Sequence, residues 1–135
     1  MSKAKDALAI ANLKATYCRA ADTSCGDEAA ARAMFDGLLV EDFIGDYGFK
    51  VMNGPAEIVD FMIQAIGGGS AWMIHALGSP VIEVAGETAT GDWTITVTAR
   101  RKDGEVMVIN GRYSDTFRRT KHGWKIASIT FTRYE

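Results

Sequence analysis

The sequence contains few of the residues that build metal sites or disulfide frameworks. Its two cysteines, Cys18 and Cys25, lie seven positions apart and form no Cys-x-x-Cys pattern. Neither a zinc site nor a disulfide framework is therefore expected. The two histidines are far apart in the chain and the carboxylates are scattered, so the sequence offers no metal-binding constellation. We predict a protein that uses neither a metal nor another cofactor.

The chain also lacks an excess of positive charge and a long apolar run. Its net charge of −2 and isoelectric point near 5.7 argue against nucleic acid or an anionic membrane as a partner. No apolar run approaches the roughly 18 residues that cross a bilayer, and the first residues do not resemble a signal peptide. With 135 residues, of which 47% are apolar, the chain is expected to form one cytoplasmic domain, residues 1–135.

Hydrophobic periodicity predicts helices in the first part of the chain. The first helix covers about residues 4–21, with Tyr17 on its apolar stripe and Lys14 off that stripe, and the pattern breaks at Asp22. Two shorter helices are predicted over about residues 27–35 and 54–66, the latter opened by the segment Gly-Pro-Ala-Glu.

Strand patterns dominate the second half. Residues 88–99 alternate threonines and Asp92 on one face with Trp93 and other apolar residues on the opposite face, which is typical of a half-buried antiparallel strand. The predicted strands are about residues 40–51 (one or two short strands), 73–84, 88–99, 105–119 and 124–134. This order predicts an α+β fold, a cone-shaped α+β barrel in which three helices pack on a curved antiparallel sheet. The open end of such a cone is a natural small-molecule pocket.

His75 is the most informative residue, because it lies inside the apolar segment 72–77. A buried imidazole needs a hydrogen-bond partner, and it can act as a general acid or base near neutral pH. The alternative is a core histidine that is satisfied by a backbone carbonyl. The other histidine, His122, lies in a predicted turn, where solvent satisfies it.

Two residues of the first helix are further candidates for the pocket. Tyr17 lies on the apolar stripe, so its hydroxyl needs either a buried partner or a ligand. On a regular helix Asp22 would lie about 140° away from Tyr17. It would reach the same cavity only if the helix ends or distorts there, and helix capping is the alternative role.

Two aspartates of the predicted strands are also candidates. Asp46 lies between glycines, where a turn aspartate competes with a catalytic base. Asp115 shares strand parity with Tyr113 and faces the core if no bulge intervenes. Such a carboxylate is either paired, with Arg112 or Arg133 as the candidates, or has a raised pKa and can donate a proton.

Several segments together resemble SnoaL-like proteins of the nuclear transport factor 2-like superfamily. They are Tyr-x4-Asp at 17–22, Gly-Pro-Ala-Glu-Ile at 54–58, Ile-His at 74–75 and the ending from 111 to 126. The resemblance covers nearly the whole chain. It implies the cone-shaped fold, a pocket for a hydrophobic small molecule, and a homodimer formed through the outer face of the sheet, with a trimer as the alternative.

Within that superfamily, scytalone dehydratase, bile-acid 7α-dehydratase and hexachlorocyclohexane dehydrochlorinase have an aspartate–histidine pair, and Asp22 and His75 are placed similarly. The resemblance implies that His75 is the general base, that Asp22 orients it, and that Tyr17 polarises a carbonyl or assists a leaving hydroxyl. The second histidine of scytalone dehydratase is missing here, so the acid for the leaving group is unassigned.

Four further residues are predicted to contact the substrate. The resemblance to scytalone dehydratase implies this role for Tyr47 and its neighbour Asp46, and Asp115 and Trp93 are the other candidates.

Steroid Δ5-3-ketoisomerase is a second match, in which Tyr17, Asp46 and Asp115 would carry the chemistry and His75 would be a bystander. We therefore expect a dehydratase-like lyase or an isomerase that acts on a hydrophobic cyclic, polyketide-like or steroid-like molecule. A non-catalytic ligand-binding domain or dimeric assembly module is the alternative.

Overall fold

The computed structural model describes residues 2–135, and within them three α-helices pack on a six-stranded sheet. The helices are α1 (Lys3–Thr23), α2 (Glu28–Phe35) and α3 (Pro55–Phe61), and α3 continues as a π-helical turn (Met62–Ile66) and a 3₁₀ turn (Gly67–Gly69). The strands are β1 (Leu39–Asp46), β2 (Val51–Asn53), β3 (Ser70–Ala85), β4 (Thr88–Arg101), β5 (Val106–Thr120) and β6 (Gly123–Tyr134). The predicted α+β fold is confirmed.

The sheet has the strand order β2-β1-β6-β5-β4-β3 and is not closed, because β2 and β3 form its two edges. All neighbouring strands are antiparallel except β1 and β6, which are parallel, so the sheet is mixed rather than fully antiparallel as predicted. The reason is the path of the chain. It crosses through α3 to the far edge at β3, and the hairpins from β3 to β6 then return it to the side of β1.

The first helix differs from its prediction in two ways. It does not break at Asp22 but continues to Thr23, whose hydroxyl donates to the Arg19 carbonyl at 2.8 Å. Lys14 is also fully buried, so the prediction that it lies off the apolar stripe was wrong. Ile10, Lys14 and Tyr17 recur at helical spacing and all face the core. The helical spacing of these three residues therefore places Lys14 on the buried face. The charge of its side chain is what made the prediction wrong.

The inner face of the sheet carries the core. The alternation of β4 is confirmed, with its apolar residues buried and most of its threonines exposed. A bulge between Gly78 and Val81, where Ser79 has a φ of 48°, interrupts the regular pairing of β3 with β4. Within residues 2–135, no helix combines the length and the apolar character that a bilayer span requires.

Candidate active site

A cavity of about 710 Å³ lies between α3 with its π-helical turn and the inner face of the sheet. Its wall is mainly apolar, and the large apolar side chains on it include Met62, Met73, Val97, Met107, Ile109 and Phe131. A cavity of this size and character suits a small molecule. The polar side chains on its wall therefore define what it can bind and do.

His75 on β3 lies on the wall of the cavity and is held by Asp22 of α1. The ring atom Nδ1 lies 2.6 Å from Asp22 Oδ1, and the backbone N–H of His75 donates to the same carboxylate at 3.1 and 3.2 Å from its two oxygens. The His75 side chain is 7% exposed and that of Asp22 is 23% exposed. The carboxylate therefore fixes both the position of the strand and the orientation of the ring.

The continuation of α1 through Asp22 explains why Tyr17 and Asp22 have different partners. Because they lie about 140° apart on the helix, Tyr17 faces Tyr47, which follows β1, whereas Asp22 faces β3. No distortion of the helix is needed for Asp22 to reach His75.

The contact with Asp22 determines which nitrogen of a neutral His75 carries the proton. An ionised carboxylate only accepts hydrogen bonds, so Nδ1 is the donor. Nε2 then keeps its lone pair and is the ring nitrogen available to a ligand in the cavity. This is the protonation pattern that a general base requires.

We expect that Asp22→Asn disturbs this tautomer, because an amide can present either a donor or an acceptor to the ring. In wild-type protein the imidazole ¹⁵N shifts of neutral His75 should show protonation at Nδ1, and in Asp22→Asn this preference should weaken or reverse. The exposed His122 is an internal reference that should not change. An unchanged His75 tautomer in the variant would contradict the proposed role of Asp22.

Two tyrosines form the second polar group of the site. The hydroxyl groups of Tyr17 and Tyr47 lie 2.7 Å apart, and Tyr47 lines the cavity whereas Tyr17 does not. Burial raises the pKa of both phenols well above the ordinary value. They therefore stay protonated at neutral pH. If Tyr17 donates to Tyr47, the proton of Tyr47 is free to point at a ligand oxygen.

Of the other predicted contact residues, Asp46 lines the cavity, while Asp115 and Trp93 are not among the lining residues. Asp46 accepts a hydrogen bond from the Gly48 backbone N–H at 2.9 Å, which is the turn role considered for it. Trp93 is 3% exposed and packs edge-to-face on Phe117 in the core. Both Trp93 and Asp115 face inward as their strand parity predicts, but the space around them is filled by protein.

Asp115 is paired with Lys14, not with the arginines that were considered for it. Lys14 Nζ lies 2.8 Å from Asp115 Oδ2, and both side chains are fully buried. The contact lacks hydrogen-bond alignment, and Asp115 Oδ1 has no partner within residues 2–135. Burial raises the pKa of Asp115 to about 6, against the opposing effect of the Lys14 charge.

Tyr113, Ser70 and Arg101 are among the lining residues that were not predicted. Strand parity could have found two of them. Tyr113 shares the inner face of β5 with Ile109, and Arg101 shares the inner face of β4 with Ala99. Ser70 had no such signal, because it lies where the glycine turn ends and β3 begins.

The cysteines offer no alternative chemistry at this site. Burial raises the pKa of the Cys18 thiol to about 12, so it remains protonated and packs as a core residue. In the part of the chain that the structure describes, no three His, Cys, Asp or Glu side chains cluster in a way that could hold a metal ion.

An open, cone-shaped α+β sheet with such a cavity is the fold of the nuclear transport factor 2-like superfamily. The model of the SnoaL-like domain matches residues 2–130, so the chain belongs to that family. A search of curated proteins gives no match.

Solved structures with the same fold cover nearly the whole chain. A Novosphingobium aromaticivorans protein with the provisional name aromatic ring hydroxylase is 28% identical, with a TM-score of 0.86 over 100% of this chain and 93% of its own. A nuclear transport factor 2-like protein from Salmonella enterica serovar Typhimurium is 18% identical, with a TM-score of 0.87 over 99% and 94%. A type 2 hexachlorocyclohexane dehydrochlorinase is 16% identical, with a TM-score of 0.82 over 98% and 90%.

Proposed function

We propose that this protein is a cofactor-independent lyase or isomerase that removes a proton from a hydrophobic cyclic small molecule, polyketide-like or steroid-like in size. The observation that carries the proposal is the 2.6 Å contact between Asp22 and His75 on the wall of an apolar cavity. That one similar fold is a hexachlorocyclohexane dehydrochlorinase supports elimination from a ring as chemistry that this fold can host.

In the proposed reaction, His75 Nε2 takes a proton from a carbon next to a substrate carbonyl. The electron pair of the broken C–H bond moves toward the carbonyl and forms an enolate. Asp22 stabilises the imidazolium that results, because its carboxylate accepts from Nδ1. In a lyase the enolate then expels a leaving group from the neighbouring carbon, and in an isomerase the proton returns at another carbon.

Tyr47 is the proposed donor to the enolate oxygen, and Tyr17 is the residue that orients it. Their 2.7 Å contact polarises the Tyr47 hydroxyl only when Tyr17 is the donor. A protonated phenol placed where negative charge develops stabilises the transition state more than the ground state. Tyr113, whose pKa burial also raises, lines the same cavity.

Deuterium exchange tests the proposal without knowledge of the natural substrate. Cyclic ketones such as 2-tetralone and 5-androstene-3,17-dione are incubated with the protein in D₂O and followed by NMR and mass spectrometry. A lyase or isomerase should accelerate exchange at the carbon next to the carbonyl of at least one ketone that binds. Saturable binding without exchange would instead indicate a ligand-binding domain.

We also propose a homodimer formed through the outer face of the sheet. That face carries exposed apolar side chains on β3 and β5, on either side of Arg100 and Thr98 of β4. They are Trp72, Ile74, Val106 and Val108, all at least 40% exposed. Sedimentation velocity distinguishes a dimer from a trimer or from a monomer.

A further inference from the structure

A positively charged side chain on the wall of the cavity has no part in the proposed proton transfer. Arg101, at the end of β4, lines the cavity and is partly exposed. Its guanidinium packs on Gly69, where an added Cβ would lie 3.1 Å from Nη2. Arg32, Arg118 and Arg119 each contact a carboxylate, but Arg101 has no such partner among residues 2–135.

Ser70 provides a second donor at the same place. It is the register partner of Arg101 across β3 and β4, it lines the cavity, and it is 1% exposed. Its hydroxyl has no side-chain or backbone partner among residues 2–135, and its oxygen is not sealed off from the cavity. A hydroxyl and a guanidinium that both lack a protein partner on the same wall can both donate to a ligand group that accepts hydrogen bonds.

The charge balance of the cavity wall favours an anion. Apart from His75 and the two protonated tyrosines, the ionisable lining residues are Asp46, Arg101 and Arg133. The Asp46 carboxylate is already engaged by the Gly48 N–H, and Arg133, which is 53% exposed, lies 3.7 Å from Glu135 at the edge of the fold. With Asp46 engaged by the turn and Arg133 beside Glu135, Arg101 is the cation on the wall that is left for an anionic group.

We infer that the ligand of this cavity is a ring compound with an acidic substituent, a carboxylate or a phosphate, which Arg101 and Ser70 bind. A planar guanidinium fork matches either group, and the apolar wall accommodates the ring. This inference depends on the proposed function only for the part of the ligand that reacts at His75. Arg101 is thus a specificity-determining residue, and a neutral ring compound is a poor ligand.

Three naphthalene probes separate the effect of the acidic group from that of the ring. They are 1-naphthoate, 1-naphthyl phosphate and the neutral methyl 1-naphthoate, and calorimetry measures their binding to the wild-type protein. We expect at least one anion to bind about tenfold or more tightly than the ester, since a hydrogen bond to a charged group has about this effect. The tighter of the two anions identifies a carboxylate or a phosphate as the natural group.

Arg101→Gln should abolish this preference, because it weakens the binding of the anion far more than that of the ester. Arg101→Lys should keep part of it, because the charge remains while the fork is lost. Arg100→Gln is the matched control. Arg100 is the neighbouring arginine on the opposite face of β4 and donates to the Gly104 carbonyl, so its loss should leave the preference intact. Circular dichroism verifies that each variant is folded.

Equal affinity of the wild-type protein for all three probes, or no binding of either anion, would overturn the inference. So would an equal loss of the preference in the Arg100 and Arg101 variants. Failure of the proposed function is a separate result. It would appear as an anion preference that depends on Arg101 in a protein that catalyses no proton exchange in any ketone.

Discussion

Replacement of His75 by glutamine should slow the exchange of an active ketone by at least about 10²-fold, the usual contribution of a general base. Glutamine keeps similar bulk and can still contact Asp22, but it has no basic nitrogen. The loss should appear in the rate at saturating ketone, because the cavity that binds the ring is otherwise unchanged. The rate of deuterium incorporation measured by NMR checks this result.

Two further variants make the result specific. His122→Gln removes the exposed turn histidine and should keep the full rate. Asp22→Asn should give an intermediate rate, because the base remains but its orientation and the stabilisation of the imidazolium are weakened. Full exchange in folded His75→Gln would exclude His75 as the base. Asp46, whose carboxylate lines the cavity, would then be the next residue to replace.

The sequence indicated the candidate residues His75 and Asp22 better than it indicated the geometry that brings them together. His75 was a candidate site residue because an imidazole in an apolar strand needs a hydrogen-bond partner. In the structure this partner is Asp22. The predicted helix break at Asp22 was unnecessary, since the regular helix lies beside β3 and presents Asp22 to it. Which strand a helix lies against is a tertiary property that local periodicity does not contain.

The parallel pairing of β1 with β6 and the burial of Lys14 were unpredictable for a related reason. The pairing depends on the route of the chain through α3 to the far edge of the sheet, which short-range hairpin signals do not specify. Lysine side chains are usually solvated, so the sequence alone predicts an exposed position for Lys14. Its burial is intelligible only when Asp115, about a hundred residues later, lies beside it.

The pair of Lys14 and Asp115 connects the core to the tyrosines of the site. Lys14 Nζ lies 3.4 Å from the centroid of the Tyr113 ring and 4.8 Å from that of Tyr17. Tyr113 lines the cavity, and Tyr17 contacts Tyr47. A cation over the faces of these rings fixes their positions. A change in the ion pair should therefore affect the stability of the fold and also the arrangement of the phenols.

Lys14→Met should destabilise the protein by about 3–5 kcal/mol at pH 8, because removal of one partner leaves a buried charge without compensation. Methionine replaces the aliphatic part of lysine, so the loss is mainly electrostatic. The free energy of unfolding in urea measures it. Lys5→Met is the matched control on an exposed position of α1, and its effect should be within about 0.5 kcal/mol.

The effect of Lys14→Met should also depend on pH. Because the pKa of Asp115 is raised from 3.8 to about 6 in the folded protein, this group lowers the stability of the wild type as pH rises through that interval and has a constant effect above it. Loss of the Lys14 charge raises the pKa of Asp115 further, so the variant continues to lose stability above pH 6. The difference between the two proteins should therefore be smaller at pH 5 than at pH 8.

The double variant Lys14→Met with Asp115→Leu decides whether charge is the cause. A buried ion pair that is replaced by apolar side chains of similar volume generally leaves stability unchanged or improves it. The double variant should therefore recover most of the stability that Lys14→Met loses, and its difference from the wild type should no longer grow above pH 6. A double variant as unstable as Lys14→Met would show that packing, and not the unpaired carboxylate, accounts for the loss.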